Sequence, residues 1–537
     1  MLLILSARPV TEEIALQFGR IPPSFLPLGS QRLFALQAEI AHGMPCYMTV
    51  PEDYEISPSD LAAIEAAGIR LLPQPSKLSI TEAIGNALTR IQPEGLLRIL
   101  YGDTLLQMSA AEMSEPDIVA VQETTSNYNW AFVEIDPDGR TLFSDEPPQR
   151  LDTRRVVCGY YTFSDPALLA TACHENSIVK ALRLYSAQKH LTCRTAENWL
   201  DFGHLPLYFQ SKKDLLVKRV FNELVYEDHM LVKRSADTAK MRAEANWYEA
   251  LPGSLRLHTP RYLGRDEGKF QAGYALEYVH APLLSDLAVF GSLPLTSWLE
   301  ILQASIEFIS KCHAIRPPED GPEASHAFAS EFFHDMIVDK TRTRLASYCA
   351  EGEIGLEARI TLNGIAHPPL KEVAEGLVDM IPPTTPQHIR FWHGDLFYGN
   401  MFYDFIAQRV LCIDPRGQLG SGQISLWGDL RYDLAKLAHS IIGHYDKVLN
   451  GRSVLKTDPD APLNWQFSVE SPQYGAQLEE IFLSYVHEKL DISAQELRAM
   501  TALMFLSMLP LHSDSPERQR HLLAAGLLLA HSSKSAK

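Results

Sequence analysis

The chain has no long basic run, no Cys-x-x-Cys pair and no apolar stretch able to cross a bilayer. Each absence removes a class of function. Lysine and arginine number 48 against 66 aspartates and glutamates, a formal charge of −18, which argues against general affinity for a nucleic-acid backbone. The seven cysteines, at 46, 158, 173, 193, 312, 349 and 412, are odd in number and irregularly spaced. They read as buried, reduced thiols of a cytoplasmic protein. The opening MLLILSARP has no basic flank and only a five-residue apolar run, which predicts no signal peptide. Leu522 to Ala530 is too short to span a membrane and is expected as a core helix. Internal repeats and low-complexity segments are also missing. No Pro/Gly/Ser-rich tether interrupts the chain, which predicts packed domains.

What remains is a globular composition, 46% hydrophobic and 21% charged over 537 residues, too long for one hydrophobic core. Two domains are expected, 1–212 and 213–537, with the second divided into a small lobe of about 213–280 and a large lobe of about 281–537. The oligomeric state stays open.

The richest stretch is FWHGDLFYGNMFYDFIAQRVLCIDPRG, residues 391–417. His393, Gly394 and Asp395 precede Asn400, and an apolar strand from Val410 to Ile413 ends on Asp414. One carboxylate can take a proton from a hydroxyl nucleophile, while an amide and a second carboxylate can hold the magnesium that neutralises ATP phosphates. This order resembles the catalytic loop and metal-binding aspartate of the protein-kinase superfamily, and most closely the aminoglycoside phosphotransferase and choline kinase branch, where HGD replaces HRD. The resemblance implies Asp395 as base, Asn400 and Asp414 as Mg²⁺ ligands, and His393 as a fixture of the loop. It also implies that Lys233, emerging from the apolar strand Met230 to Lys233, holds the ATP phosphates and pairs with Glu244 of the following helix, with Glu249 as an alternative. The run Tyr274 to Val279, including Glu277, resembles the hinge that meets adenine. The missing G-x-G-x-x-G loop fits this branch. Further on, Asp429 reads either as a helix cap or as a brace of the catalytic loop, and Asp433, on the same helical face, as a brace. Arg431 is expected to point elsewhere. His439 and His444 read as core or surface histidines.

The first two hundred residues alternate strands and helices. Strands are expected at Leu2 to Leu5, Cys46 to Val50, Ile69 to Leu72 and Leu96 to Leu100. Helices are expected at Gln31 to His42, Leu61 to Ala67 and Ile80 to Ile91. That alternation predicts an α/β, Rossmann-like, mostly parallel sheet with its site at the strands' carboxyl ends. Tyr101-Gly102-Asp103-Thr104 closes the fourth strand, Gly159 lies in a later one, and Asn198-Trp199-Leu200-Asp201-Phe202-Gly203 follows. In that order they resemble the sugar nucleotidyltransferases. The resemblance implies that Asp103 and Asp201 share Mg²⁺, that Gly159 lies against the sugar, and that the nucleotide is an NTP such as CTP or UTP. The departure is the first loop, SARPVTEEIALQFGRIPPSFLPLGSQRL, which lacks the glycines and puts Ser24 where a lysine is expected. Arg8, Arg20 and Arg32 are the cations available to replace it.

In the second half, helices are expected from Leu215 to Leu224, Lys240 to Leu251, Leu295 to His313, Ala327 to Cys349 and Leu370 to Ile381. The segments HGDLFYGNMFYD, IDPRG and WGDLRYDLAKLAHSIIGHYD together resemble phosphotransferases of bacterial capsule and surface-polysaccharide loci. This implies a bifunctional enzyme that phosphorylates a sugar or small polyol and couples the ester to a nucleotide. The rival readings are a kinase with a nucleotide- or sugar-sensing first domain, and a scaffold without catalysis.

Overall fold

The fold is taken from a computed structural model, which describes residues 1–148, 153–219, 224–227, 230–267, 272–352, 354–472 and 474–535. It resolves into two compact units: Met1–Leu216 with Phe290–Ser292, and Val217–Val289 with Leu293–Lys537.

The first unit is built on a nine-stranded sheet. Leu2–Leu5 runs parallel between Cys46–Pro51 and Leu97–Tyr101, and Ile69–Gln74 continues the parallel side. The central strand Leu2–Leu5 is apolar on both faces, as expected where helices cover both sides of a sheet, while the edge strand Ile69–Gln74 exposes Arg70 and Pro73. Arg154–Phe163 pairs antiparallel with Leu97–Tyr101 and carries the sheet into a mixed half. The helix Ile80–Ile91 packs Ile84, Ala87 and Leu88 into the core. Its start is fixed by a capping box, in which Ser79 and Glu82 each satisfy the other's backbone N–H. The expected helix from Gln31 to His42 is shorter. Gln31–Arg32 pairs as a strand with Pro27–Leu28, and only Leu33–Glu39 is helical.

The second unit opens with a four-stranded antiparallel sheet ordered Leu224–Glu227, Met230–Ser235, Ala272–Glu277, Tyr262–Glu267. The helix Thr238–Glu249 packs against it. Larger helices follow, among them Leu295–His313, Leu430–Ile441, and the neighbours Ala494–Met508 and Pro516–Ser535, which bury the apolar run at Leu522. Two short ribbons flank the catalytic-loop motif. Ile389–Phe391 pairs with Trp427–Asp429 before it, and Met401–Asp404 pairs with Arg409–Cys412 after it.

Three expectations need correction here. The helix expected at Leu215 to Leu224 is Leu205–Arg219, and Leu224 begins a strand; residues 220–223 lie outside the described set. The pattern from Ala327 to Cys349 is broken by a π-helical turn at His334–Asp339, between His326–Phe333 and Lys340–Glu351. A wider turn preserves apolar periodicity on both sides, so the sequence pattern does not register it. Arg431 does not point away from Asp429 but folds back onto it. All seven cysteines are free, and no helix among the described residues is long and apolar enough to cross a membrane.

Candidate active site

The catalytic-loop motif is held by its backbone. Gly394 has φ +79°, and a Cβ there would lie 2.6 Å from Cβ of Arg416, so only glycine lets the 392–400 and 414–417 segments approach this closely. Arg416 N–H donates to the His393 carbonyl at 2.8 Å, and Ile413 N–H to the Asn400 carbonyl at 2.9 Å. From beneath, buried Asp433 accepts both the His393 and the Gly394 N–H, each at 2.7 Å. One carboxylate thus fixes two consecutive amides of the loop. Asp429 caps the helix Leu430–Ile441 through Arg431 N–H and receives Thr384 Oγ1 at 2.6 Å. It forms a buried cluster with Arg431, which also reaches Glu496 at 2.6 Å.

At the loop's tip, the Asp395 carboxylate meets Lys436 Nζ at 2.8 Å. Burial pushes Asp395 upward, but the Lys436 ammonium outweighs it and holds the carboxyl below its ordinary range. Asn400 Nδ2 donates to the Asp395 carbonyl at 2.9 Å and to its carboxylate at 3.2 Å, so the amide oxygen of Asn400 is not used in these bonds. His393 is fully buried and packed against Trp247 and Phe308. Burial lowers it to about 4, so it is neutral at physiological pH.

Above the loop, Lys233 Nζ lies 2.9 Å from Glu244 and 3.0 Å from Asp414. Burial works against the ammonium, yet Asp414 and Glu244 prevail and raise it. Tyr274, opposite Lys233 in the strand register, donates its hydroxyl to Glu244 at 2.7 Å. Glu249 is engaged by Arg265 and Tyr262, so the partner of Lys233 is Glu244. Glu277 ends the strand Ala272–Glu277 with an exposed side chain. Asp414 itself adopts φ +57°, a left-handed conformation that Asp tolerates, with its side chain 38% exposed. The Asn400 amide oxygen and the Asp414 carboxylate are hard oxygen donors that suit Mg²⁺, which takes one or two protein ligands beside substrate phosphates. Among the described residues no group of three or more His, Cys, Asp or Glu could hold a metal.

Sequence reasoning missed Lys436 and Lys340 and the contact of Tyr274 with Glu244, having read Tyr274 only as part of the hinge. Lys436 had a signal, since it stands three residues after Asp433 on one helix. Tyr274 and Lys340 had none, because the pairing of strands and of helices alone brings them in.

In the first unit, Asp103 and Asp201 do meet. A Cβ on Gly203 would lie 2.4 Å from Oδ2 of Asp103 and 3.4 Å from Oδ1 of Asp201. Burial and the Asp201 charge raise Asp103 to about 6. Asp201, however, already accepts Trp130 Nε1 at 2.8 Å, Gly203 N–H at 2.7 Å and the His204 ring at 3.2 Å. Its hydrogen bond to Asp201 raises His204 above its ordinary value. The Asp201 side of the pair is thus engaged by three protein donors. Gly159 has φ +79°, and a Cβ there would lie 2.8 Å from the Tyr101 ring, so its packing within the sheet suffices to require glycine. Ser24 is buried and donates to the Gly102 carbonyl at 3.2 Å, so no charge stands in the expected lysine's place. Arg32 cannot supply one, because it is buried against Asp60 at 2.7 Å. Arg8 and Arg20 instead line a cavity of about 880 Å³ with Lys77 and the start of the helix Ile80–Ile91.

Comparison with known families agrees with this geometry for the second unit. Residues 214–450 match the phosphotransferase enzyme family, APH. The second unit carries a phosphotransferase-family domain. Among solved structures, that part is similar to a thermostable mutant of aminoglycoside phosphotransferase APH(4)-Ia in complex with ADP and hygromycin B, at 12% identity over 60% of this chain and 97% of that one, TM-score 0.35. The chain is also similar to CMP:2-keto-3-deoxy-manno-octonic acid synthetase complexed with CTP, at 12% identity over 41% of this chain and 99% of that one, TM-score 0.31. It is similar as well to the inositol-1-phosphate CTP transferase from T. maritima, at 9% identity over 41% and 97%, TM-score 0.32. No protein of curated function matches the chain.

Proposed function

We propose that the second unit transfers the γ-phosphoryl group of ATP to a hydroxyl of a small molecule, a sugar or polyol. The observation that carries this reading is the joining of Lys233, Glu244 and Asp414 on one side with Asp395 and Asn400 on the other, around a loop that Asp433 holds rigid. Asp395, held ionised by Lys436, orients the acceptor hydroxyl and takes its proton. Lys233, fixed by Glu244, holds the ATP phosphates. Asn400 and Asp414 would hold Mg²⁺, which neutralises charge developing on the phosphates when bound. Asp433 and Asp429 act through the backbone they fix. Adenine would be met by the backbone around Glu277.

The first unit is read as a module that binds a nucleotide or a sugar phosphate in the cavity of Arg8, Arg20 and Lys77. A second reading makes the protein bifunctional, with the first unit coupling the phosphate ester to an NTP for surface polysaccharide. The close approach of Asp103 and Asp201 favours it, and the engagement of Asp201 by Trp130, Gly203 and His204 weighs against it. The kinase assignment is tested by Asp395→Asn and Asp414→Asn, each expected to lower acceptor-dependent ADP formation by roughly a hundredfold or more. Unchanged turnover in either would overturn it. The second reading is tested with Asp395→Ala protein, NTP, Mg²⁺ and a panel of sugar phosphates. Pyrophosphate release at the wild-type rate supports bifunctionality, and none with any NTP supports the binding module.

A further inference from the structure

Beside Asp395 the second unit gathers an excess of positive charge that the ATP-holding residues do not use. On the helix Leu430–Ile441, Tyr432 and Lys436 stand four residues apart and share a face. On Lys340–Glu351, Lys340 and Arg344 also stand four apart. The two faces meet where Lys340 Nζ donates to the Tyr432 hydroxyl at 2.7 Å. At the other end of the Tyr432 face, Lys436 reaches Asp395 at 2.8 Å. Arg416, packed on Gly394, adds a third element, and its guanidinium is near enough to influence Tyr432, Lys340, Lys436 and Asp395 electrostatically.

The row contains four cations; Asp395 is the carboxylate ion-paired with it, and buried Asp433 is engaged by the His393 and Gly394 N–H groups. Lys436 is paired with Asp395. Among the described residues, Lys340, Arg344 and Arg416 have no carboxylate partner: Lys340 donates to the Tyr432 hydroxyl, Arg344 to the Ser507 carbonyl at 3.3 Å, and Arg416 to the Gln418 carbonyl at 3.0 Å. Neither acid of the preceding turn, Asp335 or Asp339, forms an ion pair with these cations. Asp335 accepts Ser421 N–H at 3.0 Å, and Asp339 faces Arg342 at 3.4 Å. Half-buried cations without counter-charge are costly unless an anion meets them. Burial and the surrounding cations, Arg416 and Lys436, lower Lys340 to about 8, opposed by Tyr432.

We propose that the acceptor of this phosphotransferase is itself an anion, a hydroxyl compound bearing a phosphate or carboxylate group that Lys340, Arg344 and Arg416 receive while its hydroxyl faces Asp395. A cationic amino alcohol or amino sugar would be repelled by the same row. The inference rests on the phosphotransferase reading and narrows its substrate class.

The test uses full-length protein saturated with a non-hydrolysable ATP analogue and Mg²⁺, so that the nucleotide's own phosphate positions are filled. Inorganic phosphate, glycerol 3-phosphate, glycerate, glycerol and ethanolamine are then titrated calorimetrically. Binding of the anions and not of glycerol or ethanolamine is expected, and preference between the phosphate compounds and glycerate identifies the charged group. Lys340→Met/Arg344→Met should weaken anion binding by about tenfold or more, equivalent to one lost charge-assisted contact. Affinity for the ATP analogue should stay unchanged. Lys340→Arg should retain binding, which separates lost charge from lost folding. Arg8→Ala/Arg20→Ala should also retain it, which separates this site from the first unit's cavity. No anion binding by the wild type, equal binding by Lys340→Met/Arg344→Met, loss in Arg8→Ala/Arg20→Ala, or a preference for ethanolamine would each overturn the inference. Turnover of neutral acceptors alone, abolished by Asp395→Asn, would refute the anionic acceptor and leave the phosphotransferase standing. Turnover that survives Asp395→Asn would refute the reading beneath it.

Discussion

Replacing Asp433 by Asn isolates what the brace beneath the catalytic loop contributes. Asp433 gives one oxygen to each of two amides, His393 N–H and Gly394 N–H, both at 2.7 Å and both buried. An asparagine of the same shape can satisfy only one of them, and its NH₂ would face the other donor to donor. The loss is one charge-assisted hydrogen bond plus an unsatisfied buried N–H, about 1.5–3 kcal/mol. If the loop must regain its geometry to react, that cost appears in kcat as roughly a tenfold to hundredfold fall. KM for ATP should hardly move, because Lys233, Glu244 and Asp414 are untouched. The assay is steady-state ADP formation at pH 8, above the value of about 7 to which burial pushes Asp433. A kcat equal to wild type, with unchanged thermal unfolding, would refute the claim that this carboxylate holds the loop.

Other expectations concern neighbouring groups. Glu244→Gln should raise KM for ATP by frustrating Lys233, and Glu249→Gln should leave it unchanged; equal effects would contradict the pairing at 2.9 Å. Lys436→Met removes the ammonium that holds Asp395 below its ordinary range, so the Asp395 carboxyl should titrate higher. The base must be ionised to work, so the acid limb of the kcat/KM profile should shift to higher pH, and an unmoved limb would count against this. His393 is held neutral by burial, lowered to about 4, so no limb near pH 6.5 should disappear in His393→Gln. Trp130→Phe removes one of the two hydrogen bonds at Oδ2 of Asp201, the other being to the His204 ring. If Asp201 is a latent metal ligand, Mn²⁺ affinity of the first unit should rise by a measurable factor in calorimetry, whereas no change marks the pair as a non-metal site.

Much of this could be read from residue order, and the reason differs by element. Ile80–Ile91 and Leu295–His313 begin and end where expected because periodicity and local end signals, the Ser79–Glu82 box among them, coincide. The loop from His393 to Asp414 was legible because its chemistry is consecutive in the chain. Lys340 and Trp130 were not, since Lys340 reaches Tyr432 across 92 residues and Trp130 reaches Asp201 across 71. Arg431 eluded helical-face reasoning because Asp429 is a cap outside the helix, where a long side chain can fold back. Arg32 looked available as a cation until the fold set Asp60 beside it.

In the proposed reaction Asp395 directs phosphoryl transfer from ATP to an acceptor hydroxyl. The most direct measurement is mass analysis of the acceptor after incubation with ATP, Mg²⁺ and either wild-type or Asp395→Asn protein. The account predicts a phosphorylated acceptor, formed in step with ADP, with wild type and almost none with the variant. Equal phosphorylation by both, or ADP formation with no phosphorylated acceptor, would contradict it.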